Sequence, residues 1–314
     1  MHTLVIARRL ALLVSVFLAG TAAAESFGGQ AAPLSRYAGD ARSLSMGNAV
    51  VSLANDPGTI LVNPTGAAYS EKGVAAGNVL VLPMDRRIYT IGYAKQLDRV
   101  AGISVNWVHG SVDNVKGYDS SGDPVGDLSN SENMLVMTFA RKIQRFSLGV
   151  SAKYYRMELS SIVTSGWGFD LGASTIVTPS IRLGAAARNL LGNVRWDTDT
   201  STGQLQTEET VPRTFVVGGS YMLPSATMAF AVDYERIRDE GQYINLGFSW
   251  HGFDALFLRA GYRWLPLDSG SHDGQFTAGA SVNINPGSGR LSFDYAVLDD
   301  PFGLVHTVGL RYAL

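Results

Sequence analysis

Four histidines lie beyond the first few residues, at His109, His251, His272 and His306, and acid–base chemistry would start there. A hydrolytic site needs a nucleophile within hydrogen-bond reach of such a base, and a third group to orient it. No serine, histidine and carboxylate can be assembled into that set. His109, His251 and His272 fall at strand ends or turns, and His306 falls on an outward face near a rim. Two acidic runs, Asp119-Ser120-Ser121-Gly122-Asp123 and Asp197-Thr198-Asp199-Thr200-Ser201, invite a calcium reading. Neither has the spacing of a calcium loop, with glycine at the sixth position after an acidic start. They read as solvated surface loops. The chain has no cysteine, so disulfides and thiolate metal sites are excluded. The sequence reads as a non-enzyme without cofactor or metal.

A second set of charged residues is set apart by position. Lys153, Asp170, Arg182, Arg188, Asp233, Arg259, Asp294 and Arg311 each alternate with apolar neighbours, as do Glu235 and Arg263. In a strand such residues share the face opposite the apolar one. If that face lines an interior, the charges either fill it as a network of ion pairs or handle a polar headgroup. The network is the simpler reading, because a narrow interior needs its polar groups satisfied in any case.

The elements that would position these charges are strands. The last residues show the pattern: Val308, Leu310, Tyr312 and Leu314 alternate with Thr307, Gly309, Arg311 and Ala313. Comparable runs fall near 74–82, 87–95, 99–109, 132–142, 145–157, 164–176, 180–189, 213–222, 226–236, 242–250, 254–264, 274–284, 289–297 and 304–314. That makes about fourteen strands, with twelve as an alternative. Connections after even-numbered strands are tight, as at Lys142-Ile143-Gln144 and Leu223-Pro224-Ser225, whereas 110–131 and 190–212 read as long loops after strands three and seven. Segregation of loop length by parity is expected of an antiparallel transmembrane β-barrel with both ends in the periplasm. Trp107, Trp167 and Trp264 then fall at the outer interface, and Tyr221, Trp250 and Tyr312 at the periplasmic one.

Composition agrees with this class. Charge is only 17% of the chain, glycine numbers 35, and the net charge of -2 argues against nucleic-acid binding. Arg8 and Arg9, an apolar run over 10–19, and Ala22-Ala23-Ala24 describe a secretory leader over 1–24. The organisation expected is leader 1–24, an N-terminal plug over 25–71, and an all-β transmembrane barrel over 72–314. The location expected is the outer membrane of a Gram-negative cell.

Residues 39–70 do not alternate. They are small, glycine-rich and partly helical, with turn signals at Asn55-Asp56-Pro57-Gly58 and Asn63-Pro64-Thr65-Gly66. They carry too little apolar surface to fold alone, so the simplest place for them is inside the barrel. The string Ala41-Arg42, Met46-Gly47-x-Ala49, Asn55-Asp56 and Asn63-Pro64-x-Gly66 resembles the N-terminal motif of the PorV/PorQ group. That group sits within the FadL-type superfamily of long-chain fatty-acid transporters. Gly149-Val150-Ser151-Ala152-Lys153-Tyr154, Asp170-Leu171-Gly172 and Ala187-Arg188-Asn189-Leu190 resemble its barrel. Thr65 stands where the family usually has alanine, Ala67-Ala68 where leucine or methionine follows the glycine, and Leu314 where the terminus is usually aromatic.

The resemblance implies a hatch marked by Arg42, Met46, Gly47, Asp56, Asn63, Pro64 and Gly66. Gly309, Tyr312 and Leu314 read as a barrel-assembly signal. The implied partners are outer-membrane lipid, the barrel-assembly machinery acting on the last strand, and a hydrophobic ligand or secretion-system proteins. Passive transport of a hydrophobic small molecule ranks first, since the superfamily resemblance is the wider one. A role in type IX protein secretion, by cargo docking or shuttling, comes next, and a structural barrel last.

Overall fold

The computed structural model describes residues 31–314 apart from 37–38, 120, 160–161, 201–202, 226, 254 and 265–273. The expected leader, His272, Ser120 and Ser201 therefore lie outside the described residues.

Fifteen strands follow one another: β1 (Val74–Leu82), β2 (Arg86–Gln96), β3 (Ala101–Tyr118), β4 (Pro124–Ile143), β5 (Phe146–Leu159), β6 (Ile162–Ile176), β7 (Ile181–Thr200) and β8 (Gly203–Thr210). They continue with β9 (Thr214–Met222), β10 (Met228–Ile237), β11 (Gly241–Phe253), β12 (Leu256–Trp264), β13 (Gly274–Ile284), β14 (Arg290–Asp300) and β15 (Gly303–Ala313). β1 pairs with β15, and β6 with β7, so the antiparallel sheet closes on itself as a 14-strand barrel. β8 stands outside the ring and pairs only with β7. Fourteen strands settle the count against twelve.

The two segments expected as long loops are ladders instead. β3 and β4 continue past the barrel as a tall hairpin, paired as far as Tyr118 and Pro124. The extension of β7 is met by β8 from Asn193–Thr210 to Thr200–Gly203. Asn, Asp, Ser and Gly crowd 110–131, and Thr, Gln and acidic residues crowd 190–212, which hides the alternation, but a hairpin in water still satisfies its backbone groups across the ladder. The other end carries short turns, and both ends of the barrel's chain, Val74 and Ala313, lie there as one another's partners.

Parity sorts the faces. Val105, Trp107, Phe139, Leu171, Val232, Leu258, Phe293 and Leu310 are exposed on the outer face. Lys153, Asp170, Arg188, Asp233, Arg259 and Asp294 are buried on the inner one. An apolar exterior over a polar interior suits a wall surrounded by lipid. The interior departs from this near the long-hairpin end. There Leu80, Leu82, Ile88, Val108, Met134 and Met157 point inward and form one buried apolar cluster with Leu34.

The segment before β1 runs through this interior. It has a 3-10 turn at Pro33–Arg36, α1 (Ala41–Ser45), α2 (Pro57–Ile60) and a second 3-10 turn at Pro64–Tyr69. Each helical piece is short, and side chains cap the last three. Asp40 accepts the Ser43 N–H at 2.7 Å, and Asp56 and Thr59 form a capping box at α2. Asn63 Oδ1 accepts the Thr65 N–H at 3.1 Å, with Pro64 first in its turn.

Candidate functional site

The hatch segment, residues 39–70, meets the wall largely through backbone, and glycine makes that possible. Gly92, Gly149, Gly172, Gly184, Gly247 and Gly261 face inward, and a side chain on any of them would strike hatch atoms. The closest approach joins two glycines. Gly47 has φ +60°, and a Cβ on Gly261 would collide with its nitrogen. Only glycine tolerates both that dihedral and that approach without strain. The Gly47 N–H donates to Thr277 Oγ1 at 3.0 Å, and the Val51 N–H to Asp233 Oδ2 at 2.8 Å. Met46, Val50, Val51, Leu53 and Val62 pack against Ala186, Val216 and Ala231 of the wall.

Two charges from distant positions converge on Asp56. Arg42 Nη1 donates to Asp56 Oδ2 at 3.0 Å and to Asn55 Oδ1 at 2.6 Å. Arg311 Nη1 of β15 reaches the same carboxylate oxygen at 3.2 Å. Asp56 is on the hatch, not on a spanning strand. Burial alone would raise its pKa, but the two guanidiniums outweigh that and hold it well below the usual carboxylate range. Asp40, also on the hatch, is pushed up to about 7 by burial and by the nearby Asp56 charge. Asn63 Nδ2 donates to the Val51 carbonyl at 2.7 Å, so this side chain joins two hatch turns as well as starting its own. Gly66 lies where a side chain would strike Ala54 and Ile60.

The lumen charges divide into separate groups. Lys153 Nζ lies 2.8 Å from Asp170 Oδ2 and donates to Asn189 Oδ1 at 2.9 Å. Tyr155 also donates to Asn189 Oδ1, and the Asn189 N–H donates to Asp170 Oδ1 at 2.8 Å. Glu235 collects Arg188 at 2.6 Å and Arg263 at 3.3 Å. Arg259 lies 3.9 Å from Asp294, and both bond to Ser281. Arg182 is apart from these groups, near Val51, Ser52 and Tyr69. Asn189 went unread in the sequence as a lumen group. It has φ +58° in an irregular stretch of β7, where the pairing to β6 shifts between Trp167 and Leu171. Asparagine is enriched in that left-handed region, which was the available signal.

The remaining sequence candidates stay apart. His109 bonds to Asn133 and stacks on Trp107, while His306 bonds to Tyr295. Asp119 accepts the Ser121 and Asp123 N–H groups and so folds its own turn. Among the described residues no three metal-ligating groups cluster. Gly309 faces inward beside Asn78, and Leu314 is exposed at the strand's end.

One sizeable cavity opens beneath the hatch at the short-turn end, with a volume of about 230 Å³. Arg42, Met46 and Leu53 of the hatch line it, with Met222, His251, Phe257, Arg259, Arg290 and Arg311 of the wall. His251 stacks flat on Phe257, with ring centroids 4.0 Å apart.

No protein-family model matches the chain, and no curated protein matches it in sequence. Solved structures do match it in shape. The CymD monoaromatic hydrocarbon channel aligns at TM-score 0.60 and 12% identity, over 86% of this chain and 95% of its own. The Pseudomonas putida toluene transporter TodX aligns at TM-score 0.58 and 14% identity, over 86% and 95%. A Pseudomonas aeruginosa FadL homologue aligns at TM-score 0.59 and 12% identity, over 87% and 96%. The fold of this chain is that of the FadL-type outer-membrane channels.

Proposed function

We propose that the chain is a passive route for small hydrophobic molecules across the outer membrane, with residues 39–70 as the hatch that controls passage. The observation that carries this reading is the apolar inner lining at the long-hairpin end. A barrel interior is ordinarily polar. Here Leu80, Leu82, Ile88, Val108, Met134 and Met157 turn inward in one cluster. An apolar lining above a hatch, closed here by Leu34, suits a molecule that arrives from outside and is poorly soluble in water. The hydrocarbon channels and the toluene transporter that share this fold carry molecules of that kind by their descriptions. The long hairpins then face outward and the short turns face the periplasm.

The hatch motif also supports a finer reading, membership of the PorV/PorQ group with a part in type IX secretion. Gly309, Tyr312 and Leu314 would be the residues that the barrel-assembly machinery reads.

The test uses folded barrels in lipid vesicles. Asn63→Gly with Pro64→Gly loosens the turn and the tie to Val51. It is expected to raise leakage of small solutes and to change uptake of an apolar aromatic probe. A folded barrel lacking residues 39–70, with conductance and probe uptake both unchanged, would overturn the hatch and move secretion docking ahead.

A further inference from the structure

We infer that the cavity beneath the hatch is an exit-side binding site for compact amphiphilic carboxylates, each a single ring or short chain bearing one carboxylate. The inference deepens the transport reading and rests on it for the direction of travel. Four guanidiniums border the cavity: Arg42, Arg259, Arg290 and Arg311. Among the described residues that line it, none is acidic. Their counter-charges approach from elsewhere, Asp56 to Arg42 and Arg311, Asp294 to Arg259, and Glu71 to Arg290. Those bonds use Nη1 alone on Arg42 and Arg259, and Nη2 alone on Arg290. Among the described residues, each of these three guanidiniums keeps further N–H donors without a protein partner. A planar fork with spare donors matches a carboxylate, and pairs of this kind are among the stronger hydrogen bonds available.

The rest of the wall joins the polar Asn55, Thr227, Ser249, His251 and Asn283 to an apolar patch. Met46 and Leu53 come down from the hatch, and Met222 and Phe257 stand on β9 and β12. Phe257 is itself stacked between His251 and the Arg259 guanidinium. Guanidinium donors beside an apolar patch suit an occupant with an anionic head and an apolar body. Size narrows it further. A dry cavity of about 150 Å³ accepts benzene, and this one is about 230 Å³. The surplus is of the order of one carboxylate. A neutral hydrocarbon would leave the donors without a partner, at a cost it cannot repay. The cavity would therefore favour acids at the step where a molecule leaves the hatch.

The experiment places the full-length mature barrel in nanodiscs and reads ¹⁹F NMR line broadening, with empty nanodiscs as the blank. The probes are 4-fluorophenylacetate and the neutral 4-fluorobenzyl alcohol. The acid is expected to bind at least tenfold more tightly than the alcohol, and added salt should weaken it. Arg259→Gln with Asp294→Asn removes one guanidinium together with its partner and leaves no unpaired charge. It is expected to weaken the acid at least tenfold and leave the alcohol unchanged. Should that double variant fail to fold, Phe257→Glu, which adds a carboxylate to the cavity wall, is expected to do the same. Equal broadening of both probes by the wild type, or an unchanged acid in a folded variant, overturns the site. Uptake of the alcohol into vesicles is measured separately. Its presence with no acid site would sink this inference alone, and its absence would sink the transport reading.

Discussion

The hatch meets the two sides of the barrel differently at the short-turn end. Toward β3, β5 and β6 the space is filled. Ala67 lies against Gly102, and Pro64 against Gly149 and Gly172, with Ala67 and Ala68 fully buried. Toward β12, β14 and β15 the inward positions carry Arg259, Arg290 and Arg311, and the cavity stands between them and the hatch. The same plug is thus sealed on one flank and propped open on the other. Side-chain volume on the wall decides which. Glycine lets two backbones touch, whereas long cations hold them apart and demand counter-charges.

The contrast can be broken most forcefully on the filled flank. Gly149→Leu drives a side chain into the backbone of Pro64 and Thr65. We expect a loss of about 3 kcal/mol, or no folded barrel, because overpacking a filled interior forces the backbone to move. Ala229→Leu faces the cavity, so it should fall within about 1 kcal/mol of the wild type. Equal urea midpoints for the two variants in vesicles would remove the distinction.

A smaller effect is expected where the flanks join. Asp56→Asn takes the shared charge from Arg42 and Arg311 and should cost about 2 kcal/mol. The sign with pH follows from the lowered pKa. The stabilisation from this carboxylate is fully present above about pH 4, the ordinary value for an unfolded Asp. It is lost only as pH falls through the lower folded value. Protease access to the hatch should therefore rise below that range in the wild type and show no such step in Asp56→Asn. The smallest effect belongs to the edge of the filled flank, where Lys142 Nζ sits 4.5 Å from the Tyr69 ring centroid. Tyr69→Leu should cost about 0.5 kcal/mol, measured by the same urea midpoint.

The sequence made the wall legible, because period two survives wherever one face must be apolar. Leu310 and Phe293 fall outward, and Arg259 and Asp294 inward, as their parity requires. It did not show the tall hairpins, whose polar residues break the period-two pattern that marks the wall. Arg42, Asp56 and Arg311 could each be picked out singly. Their meeting could not, since Asp56 and Arg311 stand 255 residues apart and come together only when the barrel closes. Arg290 was passed over at a strand's first position, because its place depends on a cavity that exists only where the hatch stands off. Asn189 depends on irregular pairing of β7 to β6, which leaves no periodic mark.

The bond from Arg311 to Asp56 has a consequence for how the molecule is made. The pairing of β15 with β1 completes the ring. The hatch leads directly into β1. Pairing β15 with β1 brings Arg311 to Asp56 of the hatch, so closing the seam and fastening the hatch are one event. The hatch thus serves as a clasp on the seam, and Asp56→Asn should loosen the β1–β15 pairing as well as the hatch.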